Sequence, residues 1–108
     1  MPVYEIKDGI AIIPEGTTEI ADRTFFRCYG LMSIVIPDSV TKIGNYAFAF
    51  CTDLKSIVIP DSVKKVGEAA FIGCSRLTSI IIPNSVTEIE NSAFYGCFGL
   101  ISIVIPNS

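Results

Sequence analysis

A 23-residue unit repeated without insertion constrains this chain more than any other feature. Residues 31–53 read LMSIVIPDSVTKIGNYAFAFCTD; residues 54–76 read LKSIVIPDSVKKVGEAAFIGCSR and agree with the first copy at 14 of 23 positions. Residues 77–99, LTSIIIPNSVTEIENSAFYGCFG, form a third copy, and residues 100–108 open another. A short fixed period of this kind points to a solenoid. One unit is too small to bury its own apolar face, and stacked neighbours complete the burial for each other.

Within each unit the apolar pattern changes period. Ser-Ile-Val-Ile predicts a short strand, ended by Pro37, Pro60, Pro83 and Pro106, because proline has no N–H for a ladder. The Asp-Ser or Asn-Ser that follows is turn chemistry, with proline expected at the second turn position and Asp or Asn bonding its own backbone. Val40 and Ile43, with their equivalents, return inward. The Ala-Phe-x-x-Cys run then suits a single helical or 3₁₀ turn with one buried face. Residues 1–13 are irregular. Two β-prone runs flank Asp8-Gly9, a hairpin dipeptide. A shift of 23 sets Ala11 against Ile34 and Ile13 against Ile36, which makes IAII a degenerate first strand, and residues 3–7 are expected to cap the open end. The expected division is one domain over 1–108: cap and degenerate strand 1–13, partial repeat 14–30, full repeats 31–53, 54–76 and 77–99, and a truncated repeat 100–108.

Composition narrows the function classes. Net charge is −3 with no basic run, which argues against a nucleic-acid footprint. No segment reaches the ~18 consecutive apolar residues of a membrane span. The N-terminus lacks the basic and apolar regions of a signal peptide. There is no histidine, no glycine-rich phosphate loop, and Ser39, Ser62 and Ser85 have no base beside them to make a nucleophile. The expectation is a non-enzyme with no cofactor and no metal.

The pattern L-x-x-I-x-I-P-x-S-V-x-x-I-G-x-x-A-F-x-x-C, carried by Leu31, Ile34, Ile36, Pro37, Val40, Ile43, Gly44, Ala47, Phe48 and Cys51 and their equivalents, resembles the BspA-like leucine-rich repeat family of the 23-residue class. The resemblance runs from Asp8 to Ser108. It implies an α/β solenoid: a right-handed leucine-rich-repeat superhelix with a parallel β-sheet on one face and short helical or 3₁₀ turns on the other. It also implies a secreted or cell-surface location and adhesin-like binding of host matrix or cell-surface proteins, with no catalytic residues to carry over. Glu90 departs from the pattern, standing where the earlier copies have Gly44 and Gly67.

Four columns of equivalent residues and one end of the stack are candidates for a site. Cys28, Cys51, Cys74 and Cys97 repeat in register. Stacking places their Cα atoms ~5 Å apart, but their Cβ vectors run parallel, which is poor disulfide geometry, so a buried row of small apolar side chains is expected. Asp38, Asp61, Asn84 and Asn107 are better read as turn residues than as a calcium ladder, since two of the four are uncharged and no second carboxylate recurs in register. Glu19, Lys42, Lys65 and Glu88 form a charge column read as a solvated edge. On the strands, alternation buries Ile34 and Ile36 and leaves an outward β-branched stripe, Val35, Val58, Ile81 and Val104, flanked by Ser33, Ser56, Ser79 and Ser102. This stripe is either a sheet-stabilising device or a semi-apolar protein-binding face. Finally, Phe98 and Ile101 stand where the middle repeats have polar or small residues (Thr52 and Ser75; Lys55 and Thr78), and with Tyr95 close by they form a candidate association end. The leading reading is a non-enzymatic protein-binding module of a surface or secreted adhesion protein, without nucleic acid or membrane insertion. The alternative is a structural array that self-associates, as a homo-oligomer, through that end.

Overall fold

Each copy of the repeat forms one rung, and the strands lie where the apolar period is two. A computed structural model of the protein describes residues 4–100 and the backbone of 102–104. In chain order the strands are β1 (Ile6–Lys7), β2 (Ile10–Ile12), β3 (Glu19–Ile20), β4 (Ser33–Val35), β5 (Lys42–Ile43), β6 (Ser56–Val58), β7 (Lys65–Val66), β8 (Ser79–Ile81), β9 (Glu88–Ile89) and β10 (Ser102–Val104). They fall into two parallel stacks. The first holds the three-residue strands: β2 pairs with β4, β6 with β8, and β8 with β10, always 23 residues apart in register. β4 and β6 lie side by side between these ladders, where the Lys55 N–H donates to the Met32 carbonyl at 3.0 Å. The second stack, β3-β5-β7-β9, runs through the V-x-x-I segments.

The expected helical face is absent: the described residues contain no helix. The destination of the backbone N–H groups explains why. In the run 44–51, Ala47, Ala49 and Cys51 donate to the carbonyls three residues back, at 3.2–3.3 Å, as a 3₁₀ turn would require. The alternate residues do not. Tyr46, Phe48 and Phe50 donate instead to Glu68, Ala70 and Ile72 of the next rung, at 2.7–2.9 Å. A helix uses consecutive N–H groups internally, whereas here every second one ties rung to rung. Tyr46 and Phe50 achieve this at φ of 57° and 59°, in the left-handed region. The same geometry recurs one rung earlier at Arg23 and Arg27, and one rung later at Ala69 and Gly73.

Inward columns fill the space between the stacks. Leu31, Val40, Ile43, Ala47, Phe48 and Cys51, with Leu54, Val63, Val66, Ala70, Phe71 and Cys74 of the next rung, are buried, while in the last described rung Ile89 is exposed and Phe94 and Cys97 are partly buried. The phenylalanines stack from rung to rung: Phe25 on Phe48 at 5.3 Å, Phe48 on Phe71 at 5.2 Å, and Phe71 on Phe94 at 5.5 Å between ring centroids. Tyr4 continues this column over Phe25 at 5.7 Å. Ahead of it, β1 and β2 form an antiparallel hairpin with Ile6 opposite Ala11. Asp8 and Gly9, at φ 53° and 80°, both take the left-handed conformation that a two-residue hairpin loop needs. Ala11 stands opposite Ile34, the pairing required by the shift of 23.

One turn expectation needs correction, and Glu90 marks a local change. The turn after each strand closes from the proline carbonyl to the inward valine, as in Val40 N–H to Pro37 O at 3.2 Å and Val63 N–H to Pro60 O at 3.1 Å. Proline is therefore the first turn residue rather than the second, and its carbonyl sets the turn. At Glu90, the turn run persists, with Ser92 and Gly96 at φ 63° and 79°. What differs lies beneath it. Asp22 Oδ1 accepts the Asn45 N–H at 2.8 Å, and Asn45 Oδ1 accepts the Glu68 N–H at 2.9 Å. Gly44 and Gly67 face those short side chains, and a Cβ there would lie 2.5 or 2.6 Å from the Oδ1 atom. The 77–99 repeat sits over Glu68, which supplies no such Oδ1, and Glu90 reaches Lys65 Nζ at 3.7 Å instead.

Candidate functional site

The strand stripe is exposed, as alternation requires. Within β6 and β8 the central Ile57 and Ile80 are buried, while Val58 is 78% and Ile81 65% exposed. Val35 is likewise exposed, and the strand pairing sets Val58 opposite Ile81. Ser56 and Ser79 are exposed beside them and Ser33 is partly buried. For Ser102 and Val104 only the backbone is described; β10 pairs with β8 so that Val104 stands opposite Ile81 and Ser102 opposite Ser79. The stripe also begins one rung earlier. Ile12 pairs with Val35 and is 65% exposed, and Ile10, opposite Ser33, is exposed as well. Ile12 was identifiable by the same shift that aligned Ala11. A shallow hollow of about 400 Å³ lies along β6 and β8, lined by Ser56, Val58, Asp61, Ser79, Ile81 and Pro83. This surface can offer apolar contact and serine hydroxyls. It holds no charged pair able to do acid–base chemistry.

The proposed association end divides. Tyr95 and Phe98 are both exposed, Phe98 at 89%. They line a lateral apolar groove of about 330 Å³ together with Phe50, Ile72, Gly73 and Gly96, on the turn-run side of the molecule. Ile101 and Asn107 lie outside the described residues, as do Pro106 and the terminal positions.

Cys51 and Cys74 are fully buried, Cys28 and Cys97 partly so, and all four are free thiols. They are more than apolar filling. Cys51 Sγ donates to the Phe25 carbonyl at 3.0 Å, Cys74 to Phe48 at 3.1 Å and Cys97 to Phe71 at 3.1 Å. Each thiol thus ties its rung to the one before. Burial pushes the Cys51 thiol up to about 12 and the Cys74 thiol higher still, with Cys28 and Cys97 also raised. A raised thiol pKa leaves almost no nucleophilic thiolate at neutral pH. We predict that Cys51 and Cys74 of the native protein resist an aromatic disulfide reagent at pH 8 and that all four thiols react after unfolding; rapid native reaction of all four would contradict the burial. The linkage sign also follows. The folded pKa lies above the unfolded one, so this stability is intact below about pH 8.5 and declines as pH rises toward 12.

The charge column keeps its register, Glu19–Lys42–Lys65–Glu88, on the second parallel stack. Its one ion pair among the described residues leaves the column: Lys65 meets Glu90, not Glu88. Asp38, Asp61 and Asn84 are exposed. No group of three or more His, Cys, Asp or Glu side chains converges as a metal site among the described residues, and no described helix is long and apolar enough to cross a membrane.

Comparison with known proteins agrees with this geometry. Residues 9–108 match the model of the BspA type leucine-rich repeat region, in six copies. No curated protein matches in sequence. Among solved structures, the chain is similar to a leucine-rich repeat protein of T. pallidum at 27% identity and a TM-score of 0.71, over 87% of this chain and 57% of that one. It is similar to a leucine-rich cell surface protein from Faecalibacterium prausnitzii at 33% identity and a TM-score of 0.68, over 100% of this chain and 34% of that one. A leucine-rich repeat protein from Bacteroides ovatus is 29% identical with a TM-score of 0.64, over 88% and 30% of the two chains. The chain therefore spans between about a third and just over half of the length of these structures. With the repeat matched across residues 9–108 and the rungs stacked in a 23-residue register, the chain belongs to the BspA-type leucine-rich repeat family.

Proposed function

We propose that this chain is a non-enzymatic protein-interaction module and that it binds through the outward face of its three-residue strands. One observation carries the reading. Ile12, Val35, Val58 and Ile81 form an exposed β-branched column beside the buried Ala11, Ile34, Ile57 and Ile80 of the same strands. A rigid stack that presents the same small apolar side chain rung after rung is suited to an extended partner, and the flanking serines supply hydrogen bonds without the desolvation cost of charges. The similarity to a leucine-rich cell surface protein supports an extracellular setting, in which a host matrix or cell-surface protein is the partner.

The test is a pull-down with immobilised matrix proteins that compares wild type with Val58→Asp and Ile81→Asp. Each carboxylate enters the middle of the column on an exposed position, so folding is retained. The expected result is at least tenfold loss of capture, the cost of one desolvated charge of about 1.4 kcal/mol or more. Equal capture by the folded variants removes the strand face from consideration.

A further inference from the structure

The opposite side of the stack carries an arrangement that the strand-face reading does not use. All three arginines of the chain lie in or beside the turn runs. Arg76 is paired with Asp53 at 3.5 Å, whereas Arg23 and Arg27 form no ion pair among the described residues. Both are instead stacked on rings. The Arg27 guanidinium lies 5.3 Å from the centroid of Phe26 and 5.5 Å from that of Phe50, and Arg23 lies 5.0 Å from that of Tyr46. Phe26 meets Phe50 edge-on at 6.1 Å. The nearest carboxylate in sequence, Asp22, already accepts the Asn45 N–H. An exposed guanidinium braced by two rings is held in place and keeps free donors for an anion.

The backbone sharpens the point. Arg27 and Phe50 sit at φ 56° and 59°, positions that the next two rungs give to Gly73 and Gly96. Large side chains thus occupy strained positions in two rungs and glycines the same column in the next two; the Phe50 ring covers Gly73, and the column opens at Gly96, where a Cβ would meet only the Gly73 backbone at 3.4 Å. The empty part is the lateral groove, closed at one end by the Phe50 ring, which lies against Gly73, and at the other by Tyr95 and Phe98. Phe50 therefore joins the two parts: it braces Arg27 on one side and walls the groove on the other.

We propose that this outer face is a second docking site, which takes an extended peptide segment with a carboxylate four residues ahead of an apolar side chain. Rungs are spaced ~5 Å apart, so Arg27 and the Gly96 end of the groove are separated by ~15 Å. An extended chain advances ~3.3 Å per residue, so the matching pattern is acidic-x-x-x-apolar, laid along the stack axis. The carboxylate meets Arg27, the chain passes the Phe50 ring, and the apolar side chain lies over Gly96 beside Phe98. Charge complementarity selects this occupant over a basic or neutral one, because Arg27, without a carboxylate partner among the described residues, stacks on the Phe50 ring that walls the groove.

The probes are acetyl-Glu-Gly-Ser-Gly-Phe-amide and its Gln counterpart, titrated into the full chain with backbone amide NMR shifts as the readout. The Glu peptide is expected to shift amides at 27, 50, 73 and 96 and to bind at least about fivefold more tightly than the Gln peptide. Raised salt should shrink that preference. Arg27→Gln should make the two peptides equal, and Phe98→Ser should weaken both alike. Equal binding of the two peptides by wild type, shifts confined to residues 33–35 and 56–58, or no shift at millimolar peptide would each overturn the proposal. Because the readout is resolved by residue, its failure is distinguishable from failure of the strand-face reading.

Discussion

Phe48→Ala should cost about 3–5 kcal/mol of unfolding free energy. Phe48 is fully buried at the centre of the ring column, 5.3 Å from Phe25 and 5.2 Å from Phe71, with interplanar angles of 9° and 3°. Truncation removes the largest inward side chain of its rung and leaves a cavity bounded by rings of both neighbouring rungs. The backbone around it is fixed by bonds to both sides: the Phe48 N–H donates to Ala70 and the Phe25 N–H donates to Ala47. The site therefore cannot collapse, and collapse is what reduces such costs. Each lost ring contact adds a smaller term of ~0.5–1.5 kcal/mol. Domains of this size are stable by only about 5–15 kcal/mol, so the variant should lose a large share of its stability. Phe94→Ala, with a half-buried ring that stacks on Phe71 alone among the described aromatics, should lose roughly half as much. Guanidinium unfolding of the three proteins measures this directly, and a Phe48→Ala cost below ~1 kcal/mol would show that stability does not reside between rungs.

Gly44→Ala is the second large effect, and its sign is opposite to the usual one. Glycine to alanine at an ordinary position stabilises by about 0.4–1 kcal/mol, through the unfolded chain. Gly44 is not ordinary. Its φ is not in the left-handed region, so the constraint is space. A Cβ would lie 2.5 Å from Asp22 Oδ1, 2.7 Å from Asp22 N and 2.8 Å from Ile20 O. Two of the three are backbone atoms of the preceding rung and cannot move aside. The rung would have to lift, which stretches the Gly44 N–H to Ile20 O bond (2.8 Å) and the Asn45 N–H to Asp22 bond (2.8 Å). Overpacking typically costs about 1–3 kcal/mol, and the strained bonds about 1 kcal/mol each. The variant should be destabilised by about 2–4 kcal/mol. Glu90→Gly, in the same column, should change stability by less than ~1 kcal/mol, because it removes only an exposed pair with Lys65. A stabilised Gly44→Ala protein would show that the rungs are not packed this closely.

Much of this fold was legible in the sequence because the repeat writes each structural decision four times. The strands, the inward columns and the 23-residue register all follow from where apolar residues recur, and Ala11 against Ile34 could be placed without a structure. The turn runs were not legible in the same way. Ala-Phe-x-x-Cys fits one buried face per turn whether the N–H groups bond within the run or along the stack. Only the neighbouring rung decides, and it takes the N–H groups of Tyr46, Phe48 and Phe50. The second parallel stack escaped for a similar reason: two-residue strands such as Lys42–Ile43 carry almost no periodicity of their own. The outward columns were legible in part. Val35, Val58 and Ile81 declared themselves by alternation, and Ile12 by register. The Arg27–Phe50 cluster was hidden because its members come from different positions of different copies. The signal that could have found it is the contrast down one column, Arg27, Phe50, Gly73, Gly96, in a chain that elsewhere repeats closely.

The division of labour between inward and outward columns is tested most directly by amide hydrogen exchange on this chain, free and in complex with a matrix protein retained in the pull-down. If the outward strand column is the contact surface, added protection falls on 10–12, 33–35, 56–58 and 79–81. The turn runs 44–51 and 67–74 should then exchange as they do in the free protein. Protection confined to those turn runs, with the strands unchanged, would contradict the account.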